Sequence, residues 1–267
     1  MILDETYGLL KKRYKTQLEK LTISDVCLGV HLTAVKLSDE SYGVASTMAD
    51  VRVHCNKEDR DFGDFTPSKI RGQKVMDLFD TTRKSGIIDT LKIAALNANS
   101  SIIISNSDYH ILENTDPVDL IPLDSQKTIT IVGGFHSYIR KIAQTNNKLN
   151  VLELDIDALS EEHKRYYVPA SGFKEIIPIS DIIIITGLTL VNNTIDGLLS
   201  VIPSNAMVIV TGPSSSIIPD ILFKNKVNII GATRITKPEL LFALVSEAGA
   251  GFHLFQYCAQ KICILNE

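Results

Sequence analysis

The chain has 267 residues, of which 45% are hydrophobic and 22% charged, an ordinary globular balance for one large domain or two small ones. A formal net charge of −4 speaks against a nucleic-acid partner, because phosphate binding shows itself as a basic surplus or stripe. No segment reaches the roughly 20 apolar residues of a bilayer span, and the opening Met-Ile-Leu-Asp-Glu-Thr puts acids where a secretory signal needs basic residues.

In chain order, Leu3, Tyr7, Leu10, Tyr14 and Leu18 recur at helical spacing and predict an amphipathic helix over 3–20. The basic cluster Lys11-Lys12-Arg13 with Lys15 reads as its solvated face. Three short β-like segments at 25–31, 33–37 and 42–46, separated by turn residues, predict an antiparallel meander. Residues 56–72 read as loop with at most a short helix. A short helix is expected at 75–79 and a longer one over 87–98, while Ile102-Ile103-Ile104 is too short to classify. The stretch 113–126, with two prolines and four acids, reads as the connection between lobes. Beyond it, apolar runs at 128–132, 150–154, 181–186, 206–211 and 227–231 alternate with helix-length segments, and a last strand is expected at 255–258 or 261–265. Continuous Ile/Val strands imply burial on both faces, as in a parallel sheet. The expected fold is α/β, an α+β lobe over 1–122 followed by a Rossmann-like, doubly wound, mostly parallel lobe over 127–267.

Ligands of open parallel sheets bind beyond the carboxyl ends of the strands. After the first strand stand Gly133-Gly134-Phe135, glycines that permit a tight turn and close backbone approach at a helix start, a setting for an anion. They also fit a plain strand-to-helix turn, and they are not the dinucleotide fingerprint. Glu153 and Asp155 close the second strand, where nucleotide-binding relatives of this fold place an acid on the ribose. The third strand ends in Thr186-Gly187-Leu188-Thr189, followed by Asn192-Asn193-Thr194, and the fourth in Thr211-Gly212-Pro213-Ser214-Ser215-Ser216. Helix capping accounts for one or two of these groups; the remainder point to a ligand. For a metal, Cys27 and His31 share strand parity, His54-Cys55 follows, and His136 stands after the glycine turn, yet none has zinc-type spacing. The four cysteines make no Cys-x-x-Cys pair or disulfide framework, so a reduced, cytoplasmic location is the expectation. No Walker loop or nucleophile elbow is present, and the sequence names no general acid or base.

The strand-end segments, with Val168-Pro169-Ala170-Ser171 and Glu247-Ala248-Gly249-Ala250-Gly251, resemble the heavy-metal chelation family, a domain of unknown function. The N-terminal Val30-His31-Leu32-Thr33-Ala34-Val35, Gly43-Val44-Ala45-Ser46-Thr47 and Ala94-Ala95-Leu96-Asn97-Ala98 resemble that family's partner domain, which is similar to the enolase N-terminal fold. The resemblance runs over nearly the whole chain. It implies two lobes facing one cleft, with Thr33, Ser46, Thr47 and Asn97 opposite Gly133, Thr189, Asn192, Thr194, Gly212 and Ser214. Two positions depart from the pattern: Asn193, where glycine is usual, and His136, where proline is common.

The expected activity is binding of a transition or heavy metal, or of a metal-bound small anionic ligand, in that cleft. Hydroxyls, amides and helix N-termini suit the organic part of such a ligand better than a bare soft cation, which prefers thiolate or imidazole. The alternative is an enzyme, a transferase or lyase, acting on a nucleotide-like or heterocyclic metabolite at the strand ends. A third reading is a regulatory or scaffold protein. The expected partner is a small molecule or metal, with no nucleic acid and no membrane, and a homodimer is the commonest assembly for such a chain.

Overall fold

The computed structural model describes residues 1–48 and 62–266. His54-Cys55 and the first part of the 56–72 loop lie outside the described residues.

The N-terminal half opens with helix α1 (Ile2–Leu18), whose inward stripe buries Ile2, Leu10 and Leu18. Strands β1 (Ile23–Leu28), β2 (Leu32–Leu37) and β3 (Tyr42–Ser46) follow as an antiparallel meander. Helix α2 (Val75–Asp80) leads to α3 (Gly86–Ser105), which Ser85 caps by accepting from the Ile88 N–H. The apolar run at 102–104 is the last turn of α3. By length and composition α3 could cross a bilayer, contrary to the expectation that no segment could, yet two thirds of its most apolar stretch is buried inside the protein. It lies on the meander so closely that a β-carbon on Gly43 would stand 2.1 Å from the Ala94 carbonyl oxygen.

The remaining elements are β4 (His110–Glu113), β5 (Thr128–Val132), α4 (His136–Ala143), β6 (Lys148–Glu153), β7 (Tyr167–Pro169), α5 (Phe173–Ile176), β8 (Ile182–Thr186), α6 (Leu188–Val191), α7 (Ile195–Ser200), β9 (Met207–Thr211), α8 (Asp220–Lys224), β10 (Ile229–Ile235), α9 (Pro238–Ser246), α10 (Gly251–Tyr257) and β11 (Ala259–Leu265). They form an eight-stranded sheet in the order β4-β11-β10-β9-β8-β5-β6-β7. The six strands from β10 to β7 are parallel, and β11 runs antiparallel between β10 and β4. Numbered by their own chain order, the parallel strands run 3-2-1-4-5-6, the Rossmann arrangement, with its switch point between β5 and β8. In β8, Ile182, Ile183, Ile184 and Ile185 are all buried, which is why the strand is a continuous apolar run.

Three differences from the sequence reading have simple causes. The final strand is 259–265, and residues 255–257 finish α10. Strands β4 and β7 have four and three residues, too few to show a period. Because β4 pairs with β11, the stretch after it joins two strands of the large sheet, and 110–113 belongs with the C-terminal lobe.

The lobes share their cores. One face of the meander packs on α3. The other buries Leu32, Ala34 and Val44 against Leu241, Val245 and Leu254 of α9 and α10. On the large sheet, one face packs towards α6, α7, α8 and the N-terminal half, and the other is covered by α4 and the 3₁₀ turn Pro117–Leu120.

Candidate functional site

Register brings the strand ends into line: Thr186 of β8 lies beside Thr211 of β9, and Thr211 beside Gly231 of β10. The polar motifs at these ends serve the protein first. Thr189 is buried and its hydroxyl donates to the Thr186 carbonyl at 2.6 Å. Asn192 Oδ1 accepts from the backbone and hydroxyl of Thr194, closing an Asx turn. Ser215 is fully buried and its hydroxyl lies 2.6 Å from both the Gly212 and Gly231 carbonyls. Gly187 fits because a β-carbon there would stand 2.8 Å from the Ser215 nitrogen.

Across the lobe boundary, Ser214 Oγ accepts from the Ser46 N–H at 2.8 Å, and Asn97 Nδ2 donates to the carbonyls of Val44 and Pro213 at 2.8 and 3.2 Å. The Thr33 and Thr47 hydroxyls pair at 2.9 Å, and Thr47 also donates to Gly29. Of the residues expected to face each other across a cleft, Ser46 meets Ser214 and Asn97 meets the Pro213 carbonyl, whereas the bonds of Thr33, Thr47, Thr189, Asn192 and Thr194 stay within their own lobe, and Thr33, Asn97, Ser214 and Ser215 are buried.

At the switch point Gly133 has φ +109°, and a β-carbon there would stand 3.0 Å from the Thr186 methyl. Gly134 faces Glu153, whose Oε2 would be 3.5 Å from a β-carbon on it. Glu153 Oε1 accepts from the Leu154 N–H, and Asp155 caps the 3₁₀ turn 156–158 while remaining exposed.

The residues nominated as metal ligands are not gathered. Cys27 packs with the meander core, whereas His31 is exposed at the β1–β2 turn and His136 at the start of α4. Among the described residues no group of three or more His, Cys, Asp and Glu is placed to hold a metal ion. Burial pushes the Cys27 and Cys258 thiols up, and the Cys263 thiol to about 12.

A cavity of about 490 Å³ opens beside these strand ends, on the face covered by α4. Phe135, Pro213, Phe252 and Phe255 are among its walls. Its backbone edges include Gly212, Gly231 and Gly251, and its polar groups are Ser137, Tyr138, Thr211, Gln256 and Lys261. Gly231 is required: a β-carbon there would meet Thr211 Oγ1 at 2.2 Å and the Pro117 ring at 2.4 Å. Phe135 stacks on Tyr138 with ring centroids 5.2 Å apart. Behind Tyr138 and Lys261 sits Asp116. Its Oδ1 accepts from the Tyr138 hydroxyl and the Val118 N–H, and its Oδ2 binds the Lys261 ammonium. Burial, then the bond to Asp116, pushes the Tyr138 hydroxyl well above its ordinary range. The Lys261 ammonium also lies 5.2 Å from the centre of the Phe255 ring.

Of this cavity the sequence reading nominated only Phe135 and the strand-end residues Thr211, Gly212 and Pro213. Asp116, Tyr138 and Lys261 come from three segments that only the topology unites. One signal was legible. Lys261 shares strand parity with Cys263, so it projects from the same buried face of β11, where a cation needs a partner.

Residues 116–264 match a family described as "Putative heavy-metal chelation", and residues 11–100 match a second domain of the same description. A Pyrococcus horikoshii protein of unknown function from the first family is 21% identical, with 99% of this chain and 100% of that chain covered and a TM-score of 0.79. A second such protein, from Desulfitobacterium hafniense, is 15% identical over 97% of this chain and 99% of that one, with a TM-score of 0.69. Among curated proteins none matches. The two solved structures share the fold from end to end, and the sequence match covers more than half of the chain. The chain belongs to the family described as "Putative heavy-metal chelation", with the second domain of that description preceding it in the chain.

Proposed function

We propose that this protein binds a small organic ligand with a flat ring, free or carrying a metal, in the cavity at the carboxyl ends of β5 and β9, beside Gly231 and Ala232 of β10. The observation that carries the reading is the cavity itself, lined by three phenylalanines and two prolines with a few polar groups among them. Aromatic walls favour a stacked ring, and Thr211, Gln256 and Ser137 offer orienting hydrogen bonds.

The residues present do not fit a bare soft cation. Such an ion needs thiolate or imidazole, and the described thiols are held protonated by burial with no clustered histidine beside them. In this reading the ligand supplies the donor atoms, the protein holds its organic part, and the metal is cargo. Thermal unfolding tests it, using flat heterocyclic chelators with and without a divalent metal, and the metals alone. The organic compounds should raise the midpoint by several degrees in the wild type and not in Phe255→Ala. Equal stabilisation by the metals alone would overturn the reading.

A second reading, an enzyme for a nucleotide-like metabolite, draws support from Glu153 beside the Gly134 turn, the place of a ribose-binding acid in this fold. A nucleotide-dependent rise in midpoint, lost in Glu153→Ala, is the outcome it requires.

A further inference from the structure

We infer that the cavity selects a planar aromatic carboxylate, a ring carrying one negative charge, with Lys261 as its charge contact. The inference rests on the cavity being the ligand site and adds the chemistry of the ligand.

Among the described residues, Lys261 is the one charged group on the lining, and its side chain keeps 42% of its exposure. An ammonium has three N–H donors in rotatable array. Asp116, behind the lining and only 17% exposed, binds the ammonium through Oδ2 while Tyr138 and Val118 occupy Oδ1. Asp116 therefore positions the ammonium without showing the cavity a carboxylate edge, since both oxygens face protein donors. The lining as a whole presents the remaining N–H donors of an ammonium whose charge Asp116 partly offsets, on aromatic and proline walls.

Three consequences define the ligand. A cation would meet the ammonium and no exposed anion. A doubly charged phosphate would meet one lysine already shared with Asp116, and among the described residues no second cation lies on the lining to complete its shell. A single carboxylate on a flat ring satisfies the lysine while its ring occupies the space bounded by Phe135, Pro213 and Phe255. Such an acid with a neighbouring ring nitrogen would also chelate a metal through its own atoms, which agrees with the lack of a protein ligand set among the described residues.

The test titrates the full chain with 2-naphthoate and with its neutral isostere 2-naphthamide, followed by naphthalene fluorescence. The wild type should bind the carboxylate about tenfold more tightly, the worth of one charge-assisted hydrogen bond. Lys261→Met should bring the two affinities together and Lys261→Arg should keep them apart. Asp116→Asn, which unmasks the ammonium, should widen the gap and carries the test if the methionine variant fails to fold. Equal wild-type affinities for both probes, each lost in Phe255→Ala, would overturn the charge selection and leave the cavity as a ring site. Binding of neither probe would overturn the cavity reading as well.

Discussion

Ser214 Oγ lies 2.8 Å from the backbone nitrogen of Ser46, a hydrogen bond across 168 positions of sequence that ties the β9 turn to the end of β3. Ser214 is fully buried and Ser46 half-buried, so the bond lies largely inside the protein. Ser214→Ala would leave the Ser46 N–H without its acceptor at the lobe boundary. The expected cost is about 1–3 kcal/mol. Urea unfolding should show a lower midpoint with the slope unchanged, because the folded surface stays the same. No loss of stability would mean that water replaces the serine.

Two glycines make opposite predictions. A β-carbon on Gly43 would stand 2.1 Å from the Ala94 carbonyl and 2.3 Å from the Ala98 nitrogen, both backbone atoms of α3 that cannot step aside. Gly43→Ala must push α3 off the meander and should cost about 3 kcal/mol, the upper end of the scale for overpacking. Gly8 sits exposed in the middle of α1, and nothing lies within 4 Å of the place a β-carbon would take. Gly8→Ala should therefore stabilise by about 0.5–1 kcal/mol through helix propensity. Thermal melts of the two variants should move in opposite directions.

Asn193 has φ +58° in the loop between α6 and α7. The left-handed region accepts asparagine more readily than any branched residue. Asn193→Gly should stay within about 0.5 kcal/mol of the wild type, while Asn193→Val should lose about 1–2 kcal/mol. Chemical denaturation of both variants would check this. A stable valine variant would show that the loop relaxes to another conformation.

Burial raises the Cys263 thiol to about 12, and Asp116 and Asp119 push in the same direction. Its S–H donates to the Thr115 carbonyl at 3.2 Å. At pH 7–8 the thiolate fraction is negligible, so Cys263 should resist alkylation in the folded protein and react on unfolding. Mass spectrometry of iodoacetamide-treated native and urea-unfolded protein distinguishes the two states. Rapid native labelling would contradict the buried placement.

The parallel sheet was legible because its strands are continuous apolar runs: Ile182-Ile183-Ile184-Ile185 is buried on both faces, and its period-free pattern says so. Strand β7, three residues long and ending at Pro169, carries no such signal. The strand-end motifs were legible as chemistry, and only the family resemblance set Ser46 opposite Ser214. Nothing local in Thr-Gly-Pro-Ser-Ser-Ser reveals that Ser214 meets Ser46 or that Ser215 bonds Gly231. The cavity was the least legible part. Asp116, Tyr138 and Lys261 meet only because β11 returns antiparallel to β10 and brings the far end of the chain over the turn at 117–120.

Asp220 offers a prediction about pH. It begins α8 and receives Arg13 from α1 at 2.7 Å and the Tyr109 hydroxyl at 2.5 Å, so one carboxylate ties the first helix to the C-terminal half. Burial alone would push its pKa up, but the bonds from Tyr109 and Arg13 and the guanidinium charge outweigh it and hold the group below its ordinary 3.8. A carboxyl whose folded value lies below its unfolded value stabilises the protein fully above the unfolded value, near 3.8, and that contribution is lost as pH falls through the folded value. Asp220→Asn should thus be destabilised at neutral pH by about 1–2 kcal/mol, in the range for hydrogen bonds to a partly exposed charge. The gap between wild type and variant should hold from pH 7 to about 5 and close progressively below about 4. Urea unfolding of both proteins across that range reads it directly. A gap that stays constant down to about pH 3 would show that the amide loses packing or hydrogen-bond geometry, and that charge on Asp220 contributes nothing.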